Sequence, residues 1–88
     1  MQLEIYTPER KVFRGEVYGV QLPGIDGFFE VLENHAPLVA ALAPGRMKVL
    51  NDKQNFSYYT IKGGFIEVLS NQATILVEGA VPATEKQS

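Results

Sequence analysis

The 88-residue sequence predicts an all-β domain, a small antiparallel β-sandwich or flattened barrel of about nine to ten short strands in two sheets. Three observations carry this expectation. Turn signals recur about every 8–12 residues along the whole chain, the spacing of short antiparallel strands. The stretches between them alternate apolar and polar residues at period two. No stretch sustains a helical period: the best candidate, Ala36 to Ala43, holds Pro37 and runs into Pro44. At about two turns it is also too short to hold a helix by itself, so it reads as a strand.

Taken in order, Gln2–Tyr6 places Leu3 and Ile5 on one face of a first strand. Thr7-Pro8-Glu9-Arg10 turns the chain, with Pro8 at the second turn position that its fixed φ suits. Lys11–Phe13 and Glu16–Leu22 follow, and Tyr18, Val20 and Leu22 share a face of the second of these. Pro23 to Gly27 reads as a loop, with Phe28 and Phe29 at its tip. Phe28–Leu32 and Leu38–Leu42 flank a segment that holds the single histidine, His35. Pro44-Gly45 turns into Arg46–Leu50, and the polar run Asn51 to Asn55 is a hairpin tip. Phe56–Lys62 is aromatic and β-branched, as strands favour. Gly63-Gly64 marks a bulge or a close crossing, where the lack of a Cβ lets another element approach. Phe65–Leu69 and Ala73–Glu78 form a last pair joined through Ser70-Asn71-Gln72. Residues 1–81 are thus expected to be the sandwich and 82–88, PATEKQS, a polar tail.

Composition narrows the function classes. A chain of this length buries only ~60–65% of the surface its unfolded form exposes, so its core is thin. With no cysteine, neither disulfides nor thiolate metal ligands support it. Eight basic and ten acidic residues leave a net charge of −2. No basic stripe offers itself to a phosphate backbone, which argues against nucleic-acid binding. The longest apolar run, Leu38 to Ala43, is far too short to cross a bilayer. The N-terminal MQLEIYTPERK lacks the basic and apolar regions of a secretory signal.

Catalytic chemistry finds little to work with. Histidine is the side-chain type suited to acid–base work near neutrality and His35 is the single one, but Ser57 and Ser70 lie in no nucleophile context. One histidine with Asp26, Glu30 and Glu33 is a poor zinc set. His35 is therefore expected to brace its turn through one hydrogen bond to a turn carbonyl. The glycines Gly24, Gly27, Gly63 and Gly64 do not spell a phosphate loop and read as turns and bulges. The carboxylates of Asp26, Glu30 and Glu33 surround the two phenylalanines. They fit either a solvated loop or an acidic rim that steers a basic partner.

Three local patterns, in order and over roughly residues 2–80, carry a resemblance to a known family. The first is Pro23-Gly24, Gly27, Phe28-Phe29 and the box His35-Ala36-Pro37-Leu38. The second is Ala43-Pro44-Gly45-Arg46-Met47-Lys48-Val49. The third is Gly63-Gly64-Phe65-Ile66-Glu67-Val68, then Asn71, then Ala73-Thr74-Ile75-Leu76-Val77. Together they resemble the N-terminal β-sandwich domain of the epsilon subunit of bacterial F-type ATP synthase. The chain departs from that pattern at Glu30 and at Glu33-Asn34, where many relatives carry Gly and Pro-Gly, so its tip is more acidic.

The resemblance implies a rotor part with no catalytic residues, cofactor or metal of its own. Its expected partners are the gamma subunit and the membrane c-ring, at the cytoplasmic face of the bacterial inner membrane and without insertion into it. The c-ring contact is expected at Asp26, Phe28, Phe29, Glu30, Glu33 and His35, with the carboxylates pairing with ring arginines. The gamma contact is expected at Thr7, Pro8, Leu38, Val39, Ala40 and Leu42. Typical members continue into a two-helix hairpin that inhibits ATP hydrolysis and, in some species, binds ATP. This sequence stops at Ser88, so neither property is expected of it. The rival expectation is a free-standing sandwich that binds a peptide or carbohydrate on a platform of Tyr6, Tyr18, Tyr58 and Tyr59.

Overall fold

Ten strands and no helix make up the computed structural model, which describes residues 1–84. In chain order they are β1 (Gln2–Tyr6), β2 (Lys11–Glu16), β3 (Gly19–Gly24), β4 (Gly27–Leu32) and β5 (Leu38–Leu42). Then come β6 (Gly45–Leu50), β7 (Phe56–Ile61), β8 (Gly64–Leu69), β9 (Gln72–Val77) and β10 (Ala80–Ala83). The hydrogen-bonded path runs β10-β7-β6-β3-β5-β8-β9-β1-β2, with β4 paired to β3 off that path. The two halves expected as separate sheets meet at one corner, through the single β3–β5 pair Gly24↔Leu42. The ladder thus folds over on itself and nearly closes as a barrel, about 30 × 27 × 27 Å.

Period-two burial makes the inside. Leu3 and Ile5 of β1 stand beside Ala73 and Ile75 of β9, and these in turn beside Val68 and Ile66 of β8. All six are fully buried or nearly so. Val20 and Leu22 of β3 and Met47 and Val49 of β6 supply the facing wall. Met1 joins this core as well. Its α-amino group donates to the Val17 carbonyl (3.0 Å) and ion-pairs with Glu16 (2.8 Å) and Glu33 (3.5 Å). A charged group this deep needs such partners, and nothing in the sequence pattern pointed to Met1.

Several expectations change in detail. The β1–β9 pair is parallel, so the sheet is not wholly antiparallel. The expected strand Glu16–Leu22 is broken at Val17–Tyr18. There the Val17 amide donates to the Met1 carbonyl and the Tyr18 amide to that of Leu50 (2.8 Å each). The chain changes partner, from β1 to β6, at that point. Tyr18 consequently leaves the face shared by Val20 and Leu22 and stays half-exposed. Pro23 and Gly24 lie in β3 and not in a loop, because Gly24 pairs with Gly27 across a two-residue turn, Ile25-Asp26. Strand β10 continues through Pro82 and Ala83, past residue 81, on the edge of β7. An edge is where a strand tolerates proline. Residues 85–88 of the expected tail lie outside the described residues.

The β6–β7 tip, Asn51–Asn55, is organised by Asp52. Its carboxylate accepts from the amides of Gln54 (2.7 Å) and Asn55 (2.8 Å) and from the Asn55 side chain (2.9 Å). The side-chain bond from Asn55, then the two backbone donors, hold the Asp52 pKa below its ordinary value. A depressed folded-state pKa stabilises the turn above the unfolded carboxyl pKa, and the effect is lost as pH falls through the folded value. Acid titration followed by NMR is therefore expected to move the Asn55 and Gln54 amide shifts with a midpoint below the ordinary aspartate pKa of about 3.9. A midpoint at or above that value would remove the turn's dependence on the Asp52 carboxylate.

Candidate protein-docking surfaces

The β3–β4 hairpin and β5 bring most of the expected contact residues to one place. An open groove of about 600 Å³ is lined by Ile25, Asp26, Phe28, Phe29, Glu30 and His35 on one side and Leu38 to Ala41 on the other. Strand pleat decides what each residue presents. In β4, Phe29 faces inward opposite Leu22 and packs against the core, whereas Phe28 faces out and is 72% exposed. Val39 of β5 is also 72% exposed and Ile25 in the turn 65%. These three side chains, the most exposed of the large apolar residues, form an apolar surface of the kind that marks a partner site.

The groove is edged with acid. Glu30 accepts from the Gln21 side-chain Nε2 (2.9 Å), which fixes one carboxylate at the rim, and Asp26 sits exposed in the turn. Glu33 is turned away to the Met1 amine and does not line the groove. His35 is exposed, and its Nδ1 donates to the Ala36 carbonyl at 2.7 Å. This is the turn-bracing hydrogen bond expected of it. The segment is tied down at Asn34, in the left-handed region at φ 64°, whose amide donates to Asn71 Oδ1 (2.8 Å). Among the described residues, no three His, Asp or Glu side chains converge on a possible metal position.

The residues expected to meet gamma divide. Leu38, Val39 and Ala40 share the groove with Phe28, while Leu42 is buried in the core. Thr7 and Pro8 line a second hollow of about 320 Å³ with Tyr6, Phe65 and Leu76. Phe65 and Leu76 are cross-strand partners on the outer face, 58% and 55% exposed. Sequence reasoning passed over both. The available signal was that β8 and β9 carry large apolar residues at both parities, which a strand with one wet face does not need. Beside this hollow the Tyr6 hydroxyl donates to Glu4 Oε1 (2.6 Å), which raises the tyrosine pKa, with burial adding to the shift.

The four tyrosines form no platform. Tyr6 lies on the outer face of β1, and Tyr18 sits at the break before β3 with the Lys53 ammonium 5.6 Å from its ring. Tyr58 pairs with Lys48 across β6 and β7, and Tyr59 packs against the core. Burial raises the Tyr59 pKa, in keeping with an inward-facing ring. The peptide- or carbohydrate-binding alternative loses its platform.

Comparison with known proteins agrees with this architecture. Residues 1–83 match the family described as "ATP synthase, Delta/Epsilon chain, beta-sandwich domain". The ATP synthase epsilon chain of Chlorobium limicola is 46% identical over 78 residues, 88% of each chain. That of Protochlamydia amoebophila is 46% identical over 76 residues, 86% of this chain but 52% of its own length. This chain thus spans about half of the latter relative. Among solved structures, a chain of the Euglena gracilis mitochondrial ATP synthase (OSCP/F1/c-ring) superposes with a TM-score of 0.85 at 28% identity. The match covers 91% of this chain and 51% of that one. A chain of the Tetrahymena thermophila central stalk and c-ring shares the fold, with a TM-score of 0.76 at 17% identity over 91% of this chain and 64% of that one. From β1 through β10, this chain belongs to the β-sandwich domain family of ATP synthase delta/epsilon chains.

Proposed function

We propose that the chain is a non-catalytic rotor subunit of an F-type ATP synthase, joining the gamma subunit to the membrane c-ring at the cytoplasmic face of the bacterial inner membrane. In this role it transmits torque and supports the coupling of proton or sodium flow to ATP synthesis. The observation that carries the reading is the pair of exposed apolar surfaces, one at Ile25, Phe28 and Val39 and one at Phe65 and Leu76, on a nearly closed barrel of this family. A torque-bearing link needs a stiff body with two separate attachments. Close packing of the interior supplies the stiffness, and exposed apolar area suits attachments meant to last.

The acidic groove is assigned to the c-ring through Asp26, Phe28 and Glu30, with Phe29, Glu33 and His35 holding its shape from behind. The gamma subunit is assigned to Thr7, Pro8 and Leu38 to Ala40, extended now by Phe65 and Leu76, with Leu42 packing beneath. Ion pairs between Glu30 and ring arginines, partly exposed, contribute about 0.5–1 kcal/mol each, so apolar contact dominates. Co-expression with the gamma and c subunits of the same genome, followed by gel filtration, tests the reading. The expected outcome is a stoichiometric complex, and a chain that elutes alone overturns it.

A further inference from the structure

Resting on that reading, we propose that the seam between β4 and β5 receives an extended segment of a partner subunit as an added β-strand, one that alternates apolar and basic side chains. Two strand edges are open there. Among the described residues β4 pairs only with β3, its Leu32 carbonyl alone being taken by the His35 amide. Strand β5, paired with β8 along its length, meets the β3–β4 hairpin only at its Leu42 end, where the Ile25 amide donates to the Ala41 carbonyl (3.2 Å). The groove lies between these two edges. An edge with unpaired N–H and C=O groups is a template for another strand unless it is covered or blunted, and recognition by strand addition uses that template. Neither β4 nor β5 contains proline or lysine to blunt it, and Glu30 is the single charged residue of the two strands.

The pleat specifies the donor. A strand laid along β4 places alternate side chains on alternate faces, in step with its neighbour. On the inner face they meet Phe29, with Leu38 across the seam, both half-buried against the core, and there an apolar residue fits. On the outer face they meet Phe28 and Glu30, with Asp26 at the turn, and there a long basic side chain stacks its stem on the ring and places its charge at the carboxylates. A run of about five or six residues matches the length of β4. An acidic or helical partner does not suit both faces at once.

Hydrogen exchange in the assembled complex distinguishes strand addition from mere covering. The complex with gamma and the c-ring is exposed to deuterated water, quenched, and read residue by residue by NMR after dissociation. Strand addition is expected to slow every second amide of Gly27–Leu32, those pointing away from β3, by about tenfold or more relative to the free chain. A complex that assembles with these amides exchanging as in the free chain, or slowed without alternation, overturns the added strand and leaves the rotor reading standing. Failure to assemble overturns both. Reversing the rim with Asp26→Lys and Glu30→Lys is expected to lower the fraction assembled at fixed partner concentration about tenfold. Unchanged assembly would overturn the basic character of the donor.

Discussion

Gly64→Ala is expected to leave the chain largely unfolded under conditions in which the parent is folded. Gly64 opens β8 between Leu42 of β5 and Val77 of β9, at φ 153°. A Cβ built there overlaps the carbonyl oxygen of Leu76 and comes within 2.7 Å of the Val77 Cα. Both are backbone atoms of a paired strand, so relief requires β8 and β9 to part where Ile66 and Ile75 close the core. Such a clash belongs with the rare substitutions that cost about 4–5 kcal/mol or more. The whole stability of a domain this small is of the order of 5–10 kcal/mol. Gly27→Ala is the matched control. Its φ of 126° strains any side chain, but nothing lies within 4 Å of the added carbon, so about 1–2 kcal/mol is expected. Urea unfolding of the two variants is the measurement. Equal losses would mean that β8 and β9 separate at little cost.

Phe28→Asp is expected to weaken attachment to the c-ring by about 100-fold, the range of a central aromatic contact, while leaving the free domain as stable as the parent. The ring of Phe28 is 72% exposed and makes no part of the core, so its loss should change stability by no more than ~0.5 kcal/mol. Phe29→Asp is expected to do the reverse, because Phe29 packs against the core and a carboxylate there has no partner. Binding to detergent-solubilised c-ring, with thermal unfolding of each free variant, separates the two. Unfolding of the Phe28 variant would place that ring in the core; undiminished binding would remove Phe28 from the ring contact.

Those neighbours show how far the amino-acid order reaches. That Phe28 and Phe29 lie beside a turn is legible from Pro23-Gly24 and Gly27. Which of them is wet is not, because period two requires only that they differ. The answer depends on which face of β4 meets Leu22 and Phe29's other neighbours after the barrel has folded over. The docking groove has the same character. Its two walls, at Phe28 and at Val39, come from strands that never pair with each other.

Local chemistry is enough for what depends on nearby residues. The strands of Gln2–Tyr6, Leu38–Leu42 and Phe65–Leu69 follow from alternation and turn residues, as does the turn at Pro8, and His35 does brace its own turn. The close approach at Gly63-Gly64 was also readable, since only the absence of a Cβ admits a neighbouring backbone. Tertiary structure alone decided the parallel β1–β9 pair, the break at Val17–Tyr18, the burial of Met1 with its amine between Glu16 and Glu33, and the exposure of Phe65 and Leu76. Each of these depends on contacts between residues far apart in the chain, whose partners are chosen when the two ends of the ladder come round to share one core. Period-two alternation fixes that a strand has two faces; only the closed barrel determines which of them meets water.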